Sequence, residues 1–302
     1  MSSDNSNAAS DMTEVCASCG IADSIDDVNL KGCDGCDLVR YCGDECQELH
    51  LPQHKKECRK RAAELRDELL FKQPESSHLG DCPICCLPLS LDLQKSSMYT
   101  CCCKFVCNGC KVSDEIRVME MKLAGSCPFC REPTRGTDKE REKRMMKRIE
   151  VNDPIALCRV GMMQYNKGDF IKAFELLNRA AELGDARAHY NLAYLYQNGK
   201  GVEKDREKEI YHREEAAICG HPEARYKLGC YENVNRNIDR AVKHWIIAAT
   251  QGEDNSVTLL MEAFKCGLVE KEDLASALRA HQAAVNATKS PQREAADRAE
   301  EK

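Results

Sequence analysis

The sequence lacks any apolar run long enough to cross a membrane. A membrane-spanning helix needs about 18 to 20 consecutive apolar residues, and no stretch of the 302 residues approaches that length. Residues 1–7 are polar and have neither the basic start nor the apolar segment of a secretory signal peptide. We therefore expect an intracellular protein, in the cytoplasm or the nucleus, with no membrane partner.

An excess of positive charge is also missing. The formal net charge is −6 at pH 7. A general nucleic-acid binder uses lysine and arginine to displace the counterions of the phosphate backbone. The charge therefore argues against nucleic acid as the partner and favours proteins or peptides.

Cysteine, by contrast, is abundant and unevenly placed. Seventeen of the 21 cysteines lie between Cys16 and Cys130, and five Cys-x2-Cys pairs occur there. A disulfide scaffold is the competing interpretation, but it is typical of short secreted chains. Two thiolates at this spacing can hold one tetrahedral metal from a single tight turn. The pattern therefore predicts zinc, which would organise the first 130 residues.

The candidate ligands suggest about four zinc ions per chain. With the charge of the zinc ions counted, the bound thiolates would lower the net charge of the chain by about 7, to roughly −13. The first eight candidate ligands are Cys16, Cys19, Cys33, Cys36, Cys42, Cys46, His54 and Cys58. The second set comprises Cys82, Cys85, Cys107, Cys110, Cys127 and Cys130 together with two thiolates of the run Cys101–Cys103.

The segment from Tyr41 to Cys58, with its Cys-x3-Cys and His-x3-Cys spacings, closely resembles the MYND zinc finger. In that family the ligand pairs interleave. The resemblance implies one site of Cys16, Cys19, Cys42 and Cys46 and another of Cys33, Cys36, His54 and Cys58. His50 is the alternative imidazole. The family mostly binds short proline-containing peptides; the tryptophan that it often carries is Leu51 here.

A second cysteine segment, residues 82–131, resembles a RING finger, another cross-braced pair of zinc sites. The resemblance places Cys82, Cys85, Cys107 and Cys110 on one zinc and Cys127 and Cys130 on the other. Lys104 stands where the family usually has histidine, so two thiolates of the run 101–103 complete the second site: Cys102 and either Cys101 or Cys103.

RING fingers commonly recruit a ubiquitin-conjugating enzyme. By resemblance, Ile84 would contact that enzyme, and Arg131 would bridge the enzyme and its ubiquitin. We assign no catalytic residue. The segment Glu115–Met121 contains none of the aromatic residues that the family often has there. A structural or dimerising role for this module is the alternative.

The last part of the chain repeats itself. Ala-Ala pairs followed by glycine recur at Ala180, Ala216 and Ala248, at separations of 36 and 32 residues. A period of this size predicts stacked helical hairpins. The segment Tyr190–Val202, with its Gly-x-Gly-Val, resembles the SEL-one-like repeat, a relative of the tetratricopeptide repeat. A degenerate fourth hairpin is predicted from Asn255 to Ala284. We expect a helical core formed by Leu192, Leu195, Tyr226, Leu228 and Trp245.

The predicted fold class is two small zinc-stapled cross-brace modules followed by an all-α helical-hairpin repeat solenoid. Its predicted segments are disordered residues 1–15, a MYND-type finger at 16–58, a linker helix at 59–80, a RING-type finger at 82–131, a charged linker at 132–152, SEL-one-like repeats at 153–285 and a disordered tail at 286–302. The mixed charges at 137–144 indicate a solvated helix face, with a nuclear-import signal as the alternative.

Two functions fit this organisation. The first is a RING-type ubiquitin-protein ligase that holds its substrate with the repeats or the MYND finger. The second is a non-enzymatic scaffold or transcriptional cofactor. A MYND-containing methyltransferase is not expected, because helical hairpins occupy the remaining length and no cofactor-binding motif is present.

Overall fold

The computed structural model describes residues 15–21, 30–134 and 136–300. The chain divides into two compact units, Met1–Leu70 and Phe71–Lys302. The predicted disordered segment 1–15 lies, apart from Val15, outside the described residues. Among the described helices, none is both long and apolar enough to cross a membrane.

The first unit is a small hairpin with one long helix. Strands β1 (Lys31–Gly32) and β2 (Arg40–Tyr41) pair antiparallel. Helix α1 (Asp44–Leu70) follows, with acidic residues in its first turn that favour the helix N-terminus. Because α1 is continuous, the predicted linker helix at 59–80 is the extension of the finger's own helix as far as Leu70 and does not form a separate element.

The second unit begins with a small α/β module. Leu93–Lys95 form a 3-10 turn, and β3 (Ser96–Tyr99) pairs antiparallel with β4 (Lys104–Cys107). Helix α2 (Asn108–Glu120) starts directly after β4, and the thiol of Cys107 caps its N-terminus. The module therefore has a hairpin and a helix that meet at a cysteine.

The predicted charged linker is largely helical. Helix α3 (Asp138–Glu150) begins with a capping box in which Thr137 and Glu140 bond to each other's backbone N–H groups. Met145 and Ile149 are buried, while the charged residues of 138–144 are mostly exposed. The mixed charges therefore form a solvated helix face, as the sequence predicts.

Antiparallel helical hairpins fill the next part of the second unit. Their helices are α4 (Pro154–Asn166), α5 (Phe170–Glu182), α6 (Ala186–Asn198), α7 (Arg206–Ile218), α8 (Pro222–Val234), α9 (Ile238–Thr250), α10 (Asp254–Lys265) and α11 (Lys271–Ala287). The side chains of Asp185, His221 and Glu253 cap α6, α8 and α10, so the polar residue after each Ala-Ala-x-x-Gly segment starts the next helix.

The hairpins pack through small and apolar residues. Leu192, Leu195, Leu228 and Trp245 are each at most 3% exposed, and Tyr226 is partly buried against the cluster that contains Trp245. The repeated alanines Ala180, Ala216, Ala217, Ala248 and Ala249 are also buried. The alanines let the helices approach closely, as the repeat period predicts.

The C-terminal segment differs from its prediction. The sequence predicts a disordered tail at 286–302, but α11 continues to Ala287 and residues Pro291–Glu300 form a further helix, α12. Helix α12 packs against α2, more than 170 residues earlier in the chain. Long-range contacts therefore order a segment whose composition alone favours disorder.

Candidate metal centres

The first unit contains two compact groups of side chains suited to a metal. In the first group, Cys16 and Cys19 lie on a turn, Cys42 follows β2 and Cys46 lies in the first turn of α1. Their sulfur atoms all lie within 4.8 Å of one another. The Cys42 Sγ atom is 3.5 Å from Cys19 Sγ and 3.5 Å from Cys46 Sγ.

The second group of this unit joins the β1–β2 turn to α1. Cys33 and Cys36 lie on the turn, while His54 and Cys58 are four residues apart and therefore on one face of α1. Cys33 Sγ is 3.8 Å from Cys58 Sγ, and Cys36 Sγ is 3.1 Å from His54 Nε2. The ring of His50 instead contacts Tyr41, whose hydroxyl is 3.0 Å from His50 Nδ1.

The second unit contains two further groups. Cys82 and Cys85 converge with Cys107 at the end of β4 and Cys110 in the first turn of α2; Cys85 Sγ and Cys107 Sγ are 3.8 Å apart. Cys101 and Cys102, on the β3–β4 turn, converge with Cys127 and Cys130; Cys102 Sγ and Cys127 Sγ are 3.7 Å apart. In both units the two groups alternate along the chain.

The geometry of all four groups suits zinc. A tetrahedral site with zinc–sulfur bonds of about 2.3 Å has sulfur–sulfur edges of about 3.8 Å, and the observed sulfur–sulfur distances quoted above are 3.5 to 3.8 Å. Four cysteine-rich sites in the described residues could therefore each hold a zinc ion, or about four ions per chain.

The protonation chemistry of the groups also fits a cation. Hydrogen bonds with Cys19 and Cys46 raise the pKa of Cys42 to about 12. Burial and a hydrogen bond with Cys33 raise the pKa of Cys58 to about 11. Four thiolates so close together repel one another, and a divalent cation relieves that repulsion and allows them all to be deprotonated.

Two cysteines near these groups have other surroundings. Cys103 is 1% exposed and packs in a core with Met145 and Ile149 of α3. Burial, followed by the nearby charge of Asp153, raises the pKa of Cys103 to about 11. Cys86 is exposed. Of the two alternatives that the sequence leaves open, the structure brings Cys101 rather than Cys103 to the group.

The two residues expected to contact a conjugating enzyme are both at the surface. Ile84 lies between Cys82 and Cys85 and is 44% exposed. Arg131 follows Cys130, is exposed and has a φ of 63°. Neither belongs to a metal group, so both side chains are available for another role.

Sequence reasoning missed Arg293. This residue of α12 is 8% exposed, and its Nη2 atom donates a hydrogen bond to Cys85 Sγ at 3.3 Å. A local signal for α12 exists, because Ser290 precedes Pro291 and its hydroxyl accepts from Arg293 N, as in a helix N-cap. No local signal, however, indicates which surface the helix packs on.

Comparison with known families identifies two of the modules. Residues 16–58 match the MYND finger. Residues 154–185, 186–221 and 222–253 each match the Sel1 repeat, which is the SEL-one repeat named above. These boundaries coincide with the hairpins α4–α5, α6–α7 and α8–α9. A search of the curated proteins found no significant match.

Solved structures with a related arrangement include three bacterial proteins. A Sel1 repeat protein from Oxalobacter formigenes is 23% identical over 58% of this chain and 73% of that chain, with a TM-score of 0.43. A protective antigen of uropathogenic Escherichia coli is 22% identical over 55% and 36%, with a TM-score of 0.39. An immunity protein from Pseudomonas aeruginosa is 21% identical over 50% and 60%, with a TM-score of 0.36.

These structural similarities are too weak to carry information about function. The two family matches hold for the residues that they cover. The four cysteine-rich groups consist of residues whose spacing in the sequence is typical of metal ligands. The chain therefore contains a MYND-type zinc finger and a stack of three Sel1 repeats.

Proposed function

We propose that this protein is a zinc-dependent protein-interaction scaffold whose second cysteine module is a RING-type finger that promotes ubiquitin transfer. The observation that carries the scaffold part is the combination of a MYND finger with Sel1 repeats in one chain. Stacked helical repeats present extended surfaces that bind other proteins. The repeats or the MYND finger would hold the substrate.

The RING-type assignment of residues 82–131 is supported by the alternation of its two metal groups. Cys82, Cys85, Cys107 and Cys110 form one group, and Cys101, Cys102, Cys127 and Cys130 form the other. Each ion would be a structural zinc, because four protein ligands complete its tetrahedron and leave no position for a reactant. The module would therefore act by binding and orienting partners.

Ile84 and Arg131 supply the proposed contacts. The exposed apolar surface of Ile84 suits docking of a conjugating enzyme. The planar guanidinium of Arg131 can donate several hydrogen bonds at once, which suits the ordering of ubiquitin against that enzyme. A ubiquitin-conjugating enzyme is thus the partner proposed for the second module, while proteins or peptides are the partners proposed for the first module and the repeats.

The direct test is a reconstituted ubiquitin-transfer assay with the zinc-loaded full chain and a panel of conjugating enzymes. We expect Ile84→Ala and Arg131→Ala to retain the zinc content of the wild type, because neither residue is a metal ligand. Loss of a hydrogen bond to a charged group costs about 1.5–3 kcal/mol. This corresponds to a rate about 10- to 150-fold lower for Arg131→Ala if the bond acts only in the transition state.

Matched controls lie in the same module. Leu93 is an exposed apolar residue, 60% accessible, and Arg117 is an exposed arginine of α2. Leu93→Ala and Arg117→Ala should transfer ubiquitin at nearly the rate of the wild type. If the wild type and Arg131→Ala transferred ubiquitin at the same rate, the ligase proposal would stand and the role proposed for Arg131 would be rejected.

A non-enzymatic scaffold or transcriptional cofactor is the competing proposal. It is favoured by the segment Glu115–Met121, which has no aromatic residue. This segment instead exposes Ile116, Met119 and Met121, at 49%, 70% and 62%. A folded, zinc-loaded wild type that transfers no ubiquitin with any enzyme of the panel would support this competing proposal and reject the ligase.

A further inference from the structure

The guanidinium of Arg293 is held inside the second cysteine module. Its Nη1 atom donates to Pro88 O at 2.6 Å and to Thr288 O at 2.7 Å. Its Nη2 atom donates to Leu87 O at 3.0 Å and to Cys85 Sγ at 3.3 Å. Four acceptors on one guanidinium fix both its position and its orientation.

The rest of α12 packs against α2. Gln292 Nε2 donates to Gly109 O at 3.1 Å and to Ser113 Oγ at 2.7 Å. Ala296 is 2% exposed. A Cβ atom at Gly109 would lie 2.9 Å from both the Cα and the N atom of Arg293, so the absence of a side chain at Gly109 permits this close packing.

The charge of Arg293 calls for a negative partner. A buried guanidinium is costly unless it is paired with a negative group. Within the described part of the chain, none of the groups that accept a hydrogen bond from Arg293 is a carboxylate; they are three carbonyl oxygens and the sulfur of Cys85. A zinc ion with four thiolate ligands carries a charge of about −2, which matches the requirement of the guanidinium.

We propose that Arg293 is a positioning residue for the zinc site of Cys82, Cys85, Cys107 and Cys110, and that α12 is a C-terminal clasp whose docking depends on zinc at that site. The dependence is reciprocal: zinc stabilises the docked helix, and the docked helix slows the loss of zinc. This inference rests on the proposed zinc site, but not on ubiquitin transfer.

The test measures how fast each cysteine of the zinc-loaded full chain reacts with N-ethylmaleimide, followed by peptide mass mapping. Loss of a group that hydrogen-bonds to a metal ligand typically weakens metal binding 10- to 100-fold. In Arg293→Ala we expect alkylation about 10- to 100-fold faster at Cys82, Cys85, Cys107 and Cys110. The cysteines of the MYND finger, which lie in the other unit, serve as internal references.

Two further variants separate the role of Arg293 from general packing. Arg293→Lys keeps the charge but cannot reproduce the four hydrogen bonds. In this variant the four cysteines should therefore be only partly protected from alkylation. Asp297→Ala removes a surface ion pair in which Lys95 Nζ and Asp297 Oδ2 are 3.4 Å apart. Exposed pairs contribute little, so this control should change the rates by less than about fivefold.

The reciprocal measurement is hydrogen exchange of Cys82→Ser in the full chain. This change removes one zinc ligand and leaves every hydrogen-bond acceptor of Arg293 in place. We expect faster exchange of the amides of residues 292–300, with no change in α4–α9. Because this readout is local, it remains decisive if Arg293→Ala unfolds the whole module.

Two results would overturn the inference. The first is equal alkylation rates in the wild type and Arg293→Ala, with four zinc ions bound in the wild type. The second is full protection of the α12 amides from hydrogen exchange in Cys82→Ser. A wild type in which these four thiols react as free cysteines would instead reject the zinc site itself, and the clasp with it. Rates of ubiquitin transfer do not enter either measurement.

Discussion

Cys36 Sγ and His54 Nε2 lie 3.1 Å apart, which joins the β1–β2 turn to the middle of helix α1. The sequence leaves His50 as an alternative ligand, and the two rings are stacked with centroids 5.7 Å apart. Only His54, however, belongs to the group of potential ligand atoms. This contact therefore selects one imidazole of two that are adjacent on the helix.

The two histidines should differ in their effect on metal content. His54→Ala removes a proposed ligand, so we expect one zinc ion fewer per chain and a loss of structure in the first unit. His50→Ala removes a hydrogen bond with Tyr41 and the ring contact with His54, but it removes no atom of the ligand group, so this variant should retain the zinc count of the wild type. Native mass spectrometry of both full-length variants measures this. Loss of zinc from His50→Ala alone would reverse the assignment.

The loop between α6 and α7 makes a second prediction. Gly201 has a φ of 74°, and a Cβ atom there would lie 2.3 Å from Phe170 O. Gly201→Ala therefore combines left-handed backbone strain of about 1–2 kcal/mol with overpacking of about 1–3 kcal/mol. We expect the free energy of unfolding of the repeats to fall by about 2–5 kcal/mol in urea, followed by circular dichroism.

Gly168 is the matched control for this change. It has a similar φ of 85°, but a Cβ atom there would meet nothing within 4 Å. Gly168→Ala should therefore cost only the backbone strain, about 1–2 kcal/mol. Equal losses in the two variants would show that the contact with Phe170 has no energetic effect.

Acid should destabilise the repeats through His244. This ring is fully buried against Phe71, and neither nitrogen has a hydrogen-bond partner among the described residues. Burial, with the charges of Arg225 and Arg240, lowers the pKa of His244 from 6.5 to about 3. The unfolded chain therefore binds more protons between these two values, so stability is full above pH 6.5 and falls as the pH decreases towards 3.

His244→Leu should remove this part of the acid sensitivity. At pH 5 the linkage amounts to about 2 kcal/mol, so the variant should lose less stability than the wild type between pH 7 and pH 5. Thermal unfolding followed by circular dichroism at both pH values gives the difference. Zinc release at low pH affects both proteins, and the comparison cancels it. Equal losses would contradict the role of His244.

Much of the metal chemistry is predictable from spacing. Two thiolates with two residues between them lie on one turn, so the spacing alone shows that the two cysteines of each Cys-x2-Cys pair bind the same metal. The choice within the run Cys101–Cys103 is different, because adjacent thiols have nearly equal reach along the chain. The structure separates them by burial: Cys103 packs against α3, which the sequence does not place.

The repeats were also predictable, for a related reason. Their period, their alanines and their helix-starting residues are local signals, and each helix packs mainly on its neighbours along the chain. Helix α12 illustrates the limit. Its segment is rich in charge and alanine, and it is ordered by contacts such as Arg293 with Cys85 and Pro88, about 200 residues away. Such contacts have no signature in the local sequence.

The count of zinc ions in the full chain tests the account most directly. Native mass spectrometry of the wild type should show about four zinc ions per chain, one for each cysteine-rich group. Adding a strong chelator should then unfold the two cysteine modules, because metal-binding energy is folding energy there, while the helical signal of the repeats persists. A chain that carries no zinc, or whose repeats collapse with the chelator, would contradict the account.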